Sequence, residues 1–184
     1  NKVLVYPPDN TGKAAHRWLG QDYKSGKLYF SYMMKYTWNG PGKWSGLAFC
    51  YSNNEEKVFF GETGAEDQYL GITNTYATKR LWAGSDYVIA GYYDWEAGVA
   101  KVSAYLVGSE GFPAAEPLSW DVSYSVASNV VGWVNTIRLV SGASSGTPGD
   151  TYFDEVRIAT NWVGIVQVAP SKPEWPTNQT ATAD

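Results

Sequence analysis

Turn signals recur about every ten residues along this chain, and the runs between them are β-prone with no helical apolar period. Leu28-Tyr29-Phe30-Ser31-Tyr32-Met33-Met34-Lys35-Tyr36 is the clearest run, followed by the Gly/Pro turn Trp38-Asn39-Gly40-Pro41-Gly42-Lys43-Trp44. Similar segments at residues 3–6, 45–51, 57–61, 69–72, 86–93, 99–107, 136–140 and 152–159 predict nine or ten strands. Alternating βαβ units would need helical stretches between them, and none is present. Short strands with turn chemistry at regular spacing predict an all-β fold: an antiparallel two-sheet β-sandwich.

The length of 184 residues is enough for one well-buried core. A formal net charge of -4 gives no electrostatic reason to expect nucleic acid or an anionic membrane as partner. No apolar run approaches the roughly 20 residues that cross a bilayer. Cys50 is the sole cysteine and sits in the strand-like Leu47-Ala48-Phe49-Cys50-Tyr51, which predicts a buried small hydrophobe without a disulfide. The chain begins at Asn1 with a strand almost at once, which leads us to expect a fragment whose domain occupies residues 1–168. Residues 169–184 carry three prolines and then a Thr/Ala-rich run, the composition of a semi-rigid linker to a neighbouring module.

Near the C-terminus, Thr151-Tyr152-Phe153-Asp154-Glu155-Val156-Arg157-Ile158-Ala159 sets an acidic pair in an otherwise apolar strand. Buried carboxylates need a partner. Adjacent strand residues face opposite ways, so this pair cannot flank one scissile bond. Its carboxylates are expected to pair with Arg138 or Arg157 or to cap backbone amides. This strand, with Gly26 to Tyr32, Trp44 to Phe49, Lys57 to Glu62 and Ile137-Arg138-Leu139, resembles the laminin-G-like, concanavalin A-like jelly rolls of secreted modular bacterial proteins. The resemblance covers roughly residues 15–165. It implies a jelly roll that is secreted or displayed at the cell surface. It also implies a further N-terminal strand with a Phe-Asp-Tyr-like start, which is not found before Asn1.

Catalytic signatures are not readable. His16 is the sole histidine, which excludes a His-rich metal site, and no Gly-x-Ser-x-Gly elbow occurs. Glycoside hydrolases of similar fold carry a strand with alternating carboxylates, and none is present. Glu62 and its neighbours lie in a turn with Gly64 at the centre; Asp94 and Glu96 share spacing but border the hairpin tip Ala97-Gly98.

Binding chemistry has more support, with nine tryptophans and fourteen tyrosines for a face-on contact with sugar rings. Phe30, Phe49, Phe59, Trp133 and Phe153 are expected in the core. Trp95, at the hairpin tip between Asp94 and Glu96, is the first ligand-binding candidate, with Tyr93 beside it; Trp38 and Trp44 follow. Trp82 and Tyr92 have similar turn contexts. The alternative for each ring is that it staples a loop to the sandwich. The resemblance implies that Asp154 ligates a structural calcium ion with early oxygens such as Asp9 or Asn10. Three functions follow: a noncatalytic module binding polysaccharide or another glycan, a structural or adhesive unit held by neighbouring modules of a longer chain, and a glycoside hydrolase or lyase.

Overall fold

The computed structural model describes residues 3–5, 13–38, 42–52, 55–64, 68–144 and 149–166. In chain order the elements are β1 (Val3–Val5), β2 (Lys13–Tyr23), β3 (Lys27–Tyr36), β4 (Lys43–Tyr51), β5 (Glu55–Glu62), β6 (Tyr69–Ile72), β7 (Thr75–Arg80), β8 (Tyr87–Asp94), β9 (Val99–Leu106) and β10 (Val122–Ser125). A short helix α1 (Ser128–Val131), β11 (Val134–Ala143), β12 (Thr151–Ala159) and a 3-10 turn at Val163–Ile165 complete the chain. The strands form two antiparallel sheets, ordered β1-β12-β3-β8-β9-β10 and β2-β11-β4-β5-β6-β7. The expected two-sheet β-sandwich is the fold.

Period-two alternation sorts each central strand between two environments. In β3, Leu28, Phe30, Tyr32, Met34 and Tyr36 point between the sheets, whereas Tyr29 joins a separate cluster on the outer face. Phe30 is the hinge of the core: its ring lies 4.5 Å from Phe60 and 5.6 Å from Phe49, which are strands of the opposite sheet. The Tyr32 hydroxyl also crosses the gap and donates to the Phe60 carbonyl at 2.9 Å. Burial holds that phenol far above its ordinary ionisation range. Close approach requires glycine here. A Cβ on Gly46 would lie 2.1 Å from the Phe60 carbonyl oxygen, and one on Gly91 would lie 2.8 Å from the Phe30 ring.

The outer face of the first sheet is roofed by the chain itself. Phe112 and Trp120 from the β9–β10 connection, with Trp162 and Ile165 after β12, pack over Tyr29, Ala90 and Tyr92. Phe112 stacks on Trp162 at 5.5 Å, and the Trp162 indole N–H donates to the Pro113 carbonyl at 3.2 Å.

Every expected strand is present within a few residues. Three observed strands, β2, β7 and β10, are not among those expected, and all three are sheet edges. An edge needs only one partner and one buried face, so its sequence carries less apolar signal. The expected linker begins at Ala169 and lies outside the described residues. Removing the inter-sheet contact with Phe30→Ala is expected to cost about 3–5 kcal/mol. Trp82→Ala, at an exposed ring, is expected to cost under about 0.5 kcal/mol. Chemical denaturation of both variants measures this, and equal effects would show that Phe30 does not anchor the core.

Candidate functional site

The hairpin tip is where the chain was expected to place a ligand surface, and β8 does end at Asp94 with β9 beginning at Val99. The rings, however, turn inward. Trp95 is 5% exposed, sits edge-on to Tyr93 at 4.8 Å, and donates its indole N–H to the Gly132 carbonyl at 2.7 Å. Tyr93 is fully buried, its hydroxyl donating to the Val126 carbonyl. Asp94 closes the turn, accepting the amides of Glu96 at 2.9 Å and Ala97 at 3.0 Å. Glu96 is exposed. The expectation of an exposed Trp95 and Tyr93 is therefore corrected: the tip closes over a hydrogen-bonded aromatic core, and Asp94 is occupied by backbone donors.

Trp38 is likewise buried, 4.5 Å from the Tyr36 ring, with its indole N–H 3.4 Å from the Thr151 hydroxyl. Trp44 is half-buried on the outer face of the second sheet, against the cluster of Ala48, Cys50, Phe59 and Val140. Phe59 is thus buried, but outside the main core. Trp133, expected in the core, is 44% exposed, with the Lys24 ammonium 4.2 Å from its centroid. Tyr92 is buried under the roof of the first sheet, whereas Trp82 is exposed. Glu62, expected in a turn, is buried at the end of β5, where it accepts the Gly64 amide.

Asp154 is buried at a β-bulge, where the ladder with β3 slips between Asp154 and Arg157. Glu155 takes the positive φ of 49° that the bulge imposes, and Asp154 steadies it by accepting the Glu155 amide at 2.9 Å. Glu155 pairs with Arg157 at 3.1 Å, while Arg138 pairs with Glu56. Among the described residues no three His, Cys, Asp or Glu groups gather to hold a metal ion. A single carboxylate is short of the six to eight oxygens that calcium takes. Asp9 and Asn10 lie outside the described residues.

A cleft of about 820 Å³ opens instead between the sheet margins, at β2, β11 and the second half of β12. Leu19, Ile137, Leu139, Val156 and Ile158 supply its apolar lining. His16, Arg17, Trp18 and Tyr23 line it from β2, and Glu155 and Arg157 from β12. Pairing places Arg17 opposite Ile137 and Trp18 opposite Thr136. Arg17 therefore sits on the inward side of an edge strand, at the mouth of the sandwich. Trp18 is 66% exposed. Desolvation, then the charge of Arg138, lowers the His16 pKa and keeps the imidazole neutral at pH 7. Of these residues, the sequence singled out His16 only as the sole histidine, and Glu155 and Arg157 as an expected ion pair; it did not mark Arg17, Trp18 or Tyr23. No local signal marks the site, because its walls are strands about 140 residues apart joined only by the tertiary fold.

No family model matches the chain, and no curated protein matches it. Solved structures do. Lectin I-B4 from Griffonia simplicifolia in a metal-free form aligns with TM-score 0.56 at 14% identity, over 86% of this chain and 87% of the lectin. A heptameric SAP-like pentraxin from Limulus polyphemus aligns with TM-score 0.53 at 11% identity, over 92% and 81%. The fold is a concanavalin A-like jelly roll. A sialidase also aligns, with TM-score 0.55 at 11% identity over 86% of this chain, but the chain spans only 15% of that protein. Identities this low carry the jelly-roll fold alone.

Two outcomes follow for this jelly roll. Trp95→Ala is expected to destabilise it by about 3–5 kcal/mol, since it removes a buried, packed ring and the indole donor to the Gly132 carbonyl. A loss below about 1 kcal/mol in urea unfolding contradicts the inward placement. Burial pushes the Cys50 thiol from 9.0 up to about 11, so native protein should resist iodoacetamide at pH 8 while unfolded protein reacts. The folded state favours the protonated thiol. Its contribution to stability is complete below the ordinary thiol value and is lost as pH rises toward about 11. Equal alkylation rates for native and unfolded chain contradict this.

Proposed function

We propose that the chain is a noncatalytic carbohydrate-binding module of a secreted or surface-displayed protein, and that it holds its glycan in the cleft between β2 and β12. One observation carries the reading: a largely exposed tryptophan, Trp18, borders a cleft that combines an apolar lining with polar side chains. Ligand sites take this form, with hydrophobic walls and a few directional polar groups, at volumes of roughly 300–1,000 Å³. A flat indole meets the C–H face of a sugar, and the neutral imidazole and guanidinium groups meet its hydroxyls. The jelly-roll likeness to lectins supports the scaffold, and the ordered sequence segments favour a laminin-G-like member of it. The cleft lining holds one carboxylate among the described residues, Glu155, already paired with Arg157. Glycoside hydrolysis needs two.

The inward packing of Trp38, Tyr93 and Trp95 favours a second reading, a structural or adhesive module whose rings only brace the sandwich. A glycan array separates the two. The carbohydrate-binding reading expects at least one polysaccharide to bind, and Trp18→Ala to weaken it about tenfold or more, near 1.4 kcal/mol, with an unchanged melting temperature. Absence of binding to every glycan leaves the structural reading standing.

A further inference from the structure

The charges around the cleft do not balance, and the imbalance specifies a ligand class. Glu155 and Arg157 neutralise one another at 3.1 Å, and the second guanidinium nitrogen of Arg157 donates to the Val166 carbonyl at 2.8 Å. His16 is held neutral, partly by Arg138 behind it, whose own charge is met by Glu56. Arg17 is left. It lines the cleft and has neither an ion pair nor a side-chain hydrogen bond among the described residues. Among the described residues the cleft lining therefore carries a net positive charge, although the chain as a whole carries -4.

We propose that the cleft binds an acidic saccharide, with Arg17 taking a sugar carboxylate on the inward side of β2 while Trp18, on the other side of that edge strand, stacks on a further ring of the same saccharide where it passes over the edge. This deepens the carbohydrate-binding reading and rests on it. A guanidinium presents paired N–H donors in a plane that matches a carboxylate, and such charge-assisted pairs are roughly twice as strong as neutral hydrogen bonds. Arg17 is exposed at the mouth of the cleft, so its attraction for an anionic ligand is one that salt weakens. A strand-forming peptide is a poorer fit. The stretch of β12 facing the cleft contains the bulge between Asp154 and Arg157, which interrupts the regular ladder an added strand needs.

Calorimetry on the intact chain tests this with polygalacturonate, alginate and sialylated oligosaccharides, each beside a form whose carboxyls have been reduced to hydroxymethyl groups. The wild type is expected to bind at least one acidic form and to lose about tenfold in affinity when its carboxyls are reduced. Arg17→Gln is expected to lose the same factor on the acidic form and nothing on the reduced one, with an unchanged melting temperature. Arg17→Lys should restore part of the affinity, and salt should weaken the acidic complex only. Equal affinity for acidic and reduced forms, both weakened by Trp18→Ala, overturns the acidic specificity and leaves carbohydrate binding intact. Binding to no form, acidic or neutral, overturns the carbohydrate-binding reading itself.

Discussion

The contact of Phe30 with Phe49 and Phe60 is the interaction on which the rest of the jelly roll depends. It joins the middle of one sheet to the middle of the other, and the Tyr32 hydroxyl bridges beside it. Sheets that pack face to face twist relative to one another, so contact is closest at the centre and weakens toward the margins. Here the margin at β2 and β12 separates far enough to leave a cleft lined by Ile137, Leu139, Val156 and Ile158. The same aromatic clamp that stabilises the domain therefore leaves open the margin at which we propose a ligand enters.

The two sheets treat their outer faces differently. The first buries Tyr29 and Tyr92 beneath Phe112, Trp120 and Trp162. The second leaves rings exposed near its β7 edge, where the Arg80 guanidinium lies 5.1 Å from Tyr69 and 5.3 Å from Trp82. Cation–π contacts at exposed sites are worth only about 0.5–1 kcal/mol, so this row is a solvated brace rather than a core. The cleft differs from it in having depth and an unmatched charge.

The sequence made the central strands legible because their two faces are both committed. Leu28 to Tyr36 is apolar or aromatic on alternate residues, with Tyr29, Ser31, Met33 and Lys35 between them, a period of two that fits a strand. By contrast β2, with alanines, His16, Arg17, Gly20 and Gln21, has the composition of a loop and becomes a strand only by pairing with β11. Trp38 and Trp95 misled for a related reason. Their neighbours are turn residues, but a large ring beside a turn can swing back under the sheet and find a carbonyl or hydroxyl, as Trp95 finds Gly132. Asp94 carries the same lesson, since its carboxylate closes a turn. Trp18 and Arg17 were invisible because nothing within β2 announces the strand that faces them across the cleft.

Amide chemical shifts followed during a titration show whether ligand enters at the β2–β12 margin, as proposed. With an acidic oligosaccharide, perturbations are expected to concentrate at Ala15 to Leu19 and Glu155 to Ile158 and to saturate together. Shifts confined to the Asp94–Gly98 tip or to the β6–β7 edge, with the cleft silent, would contradict it.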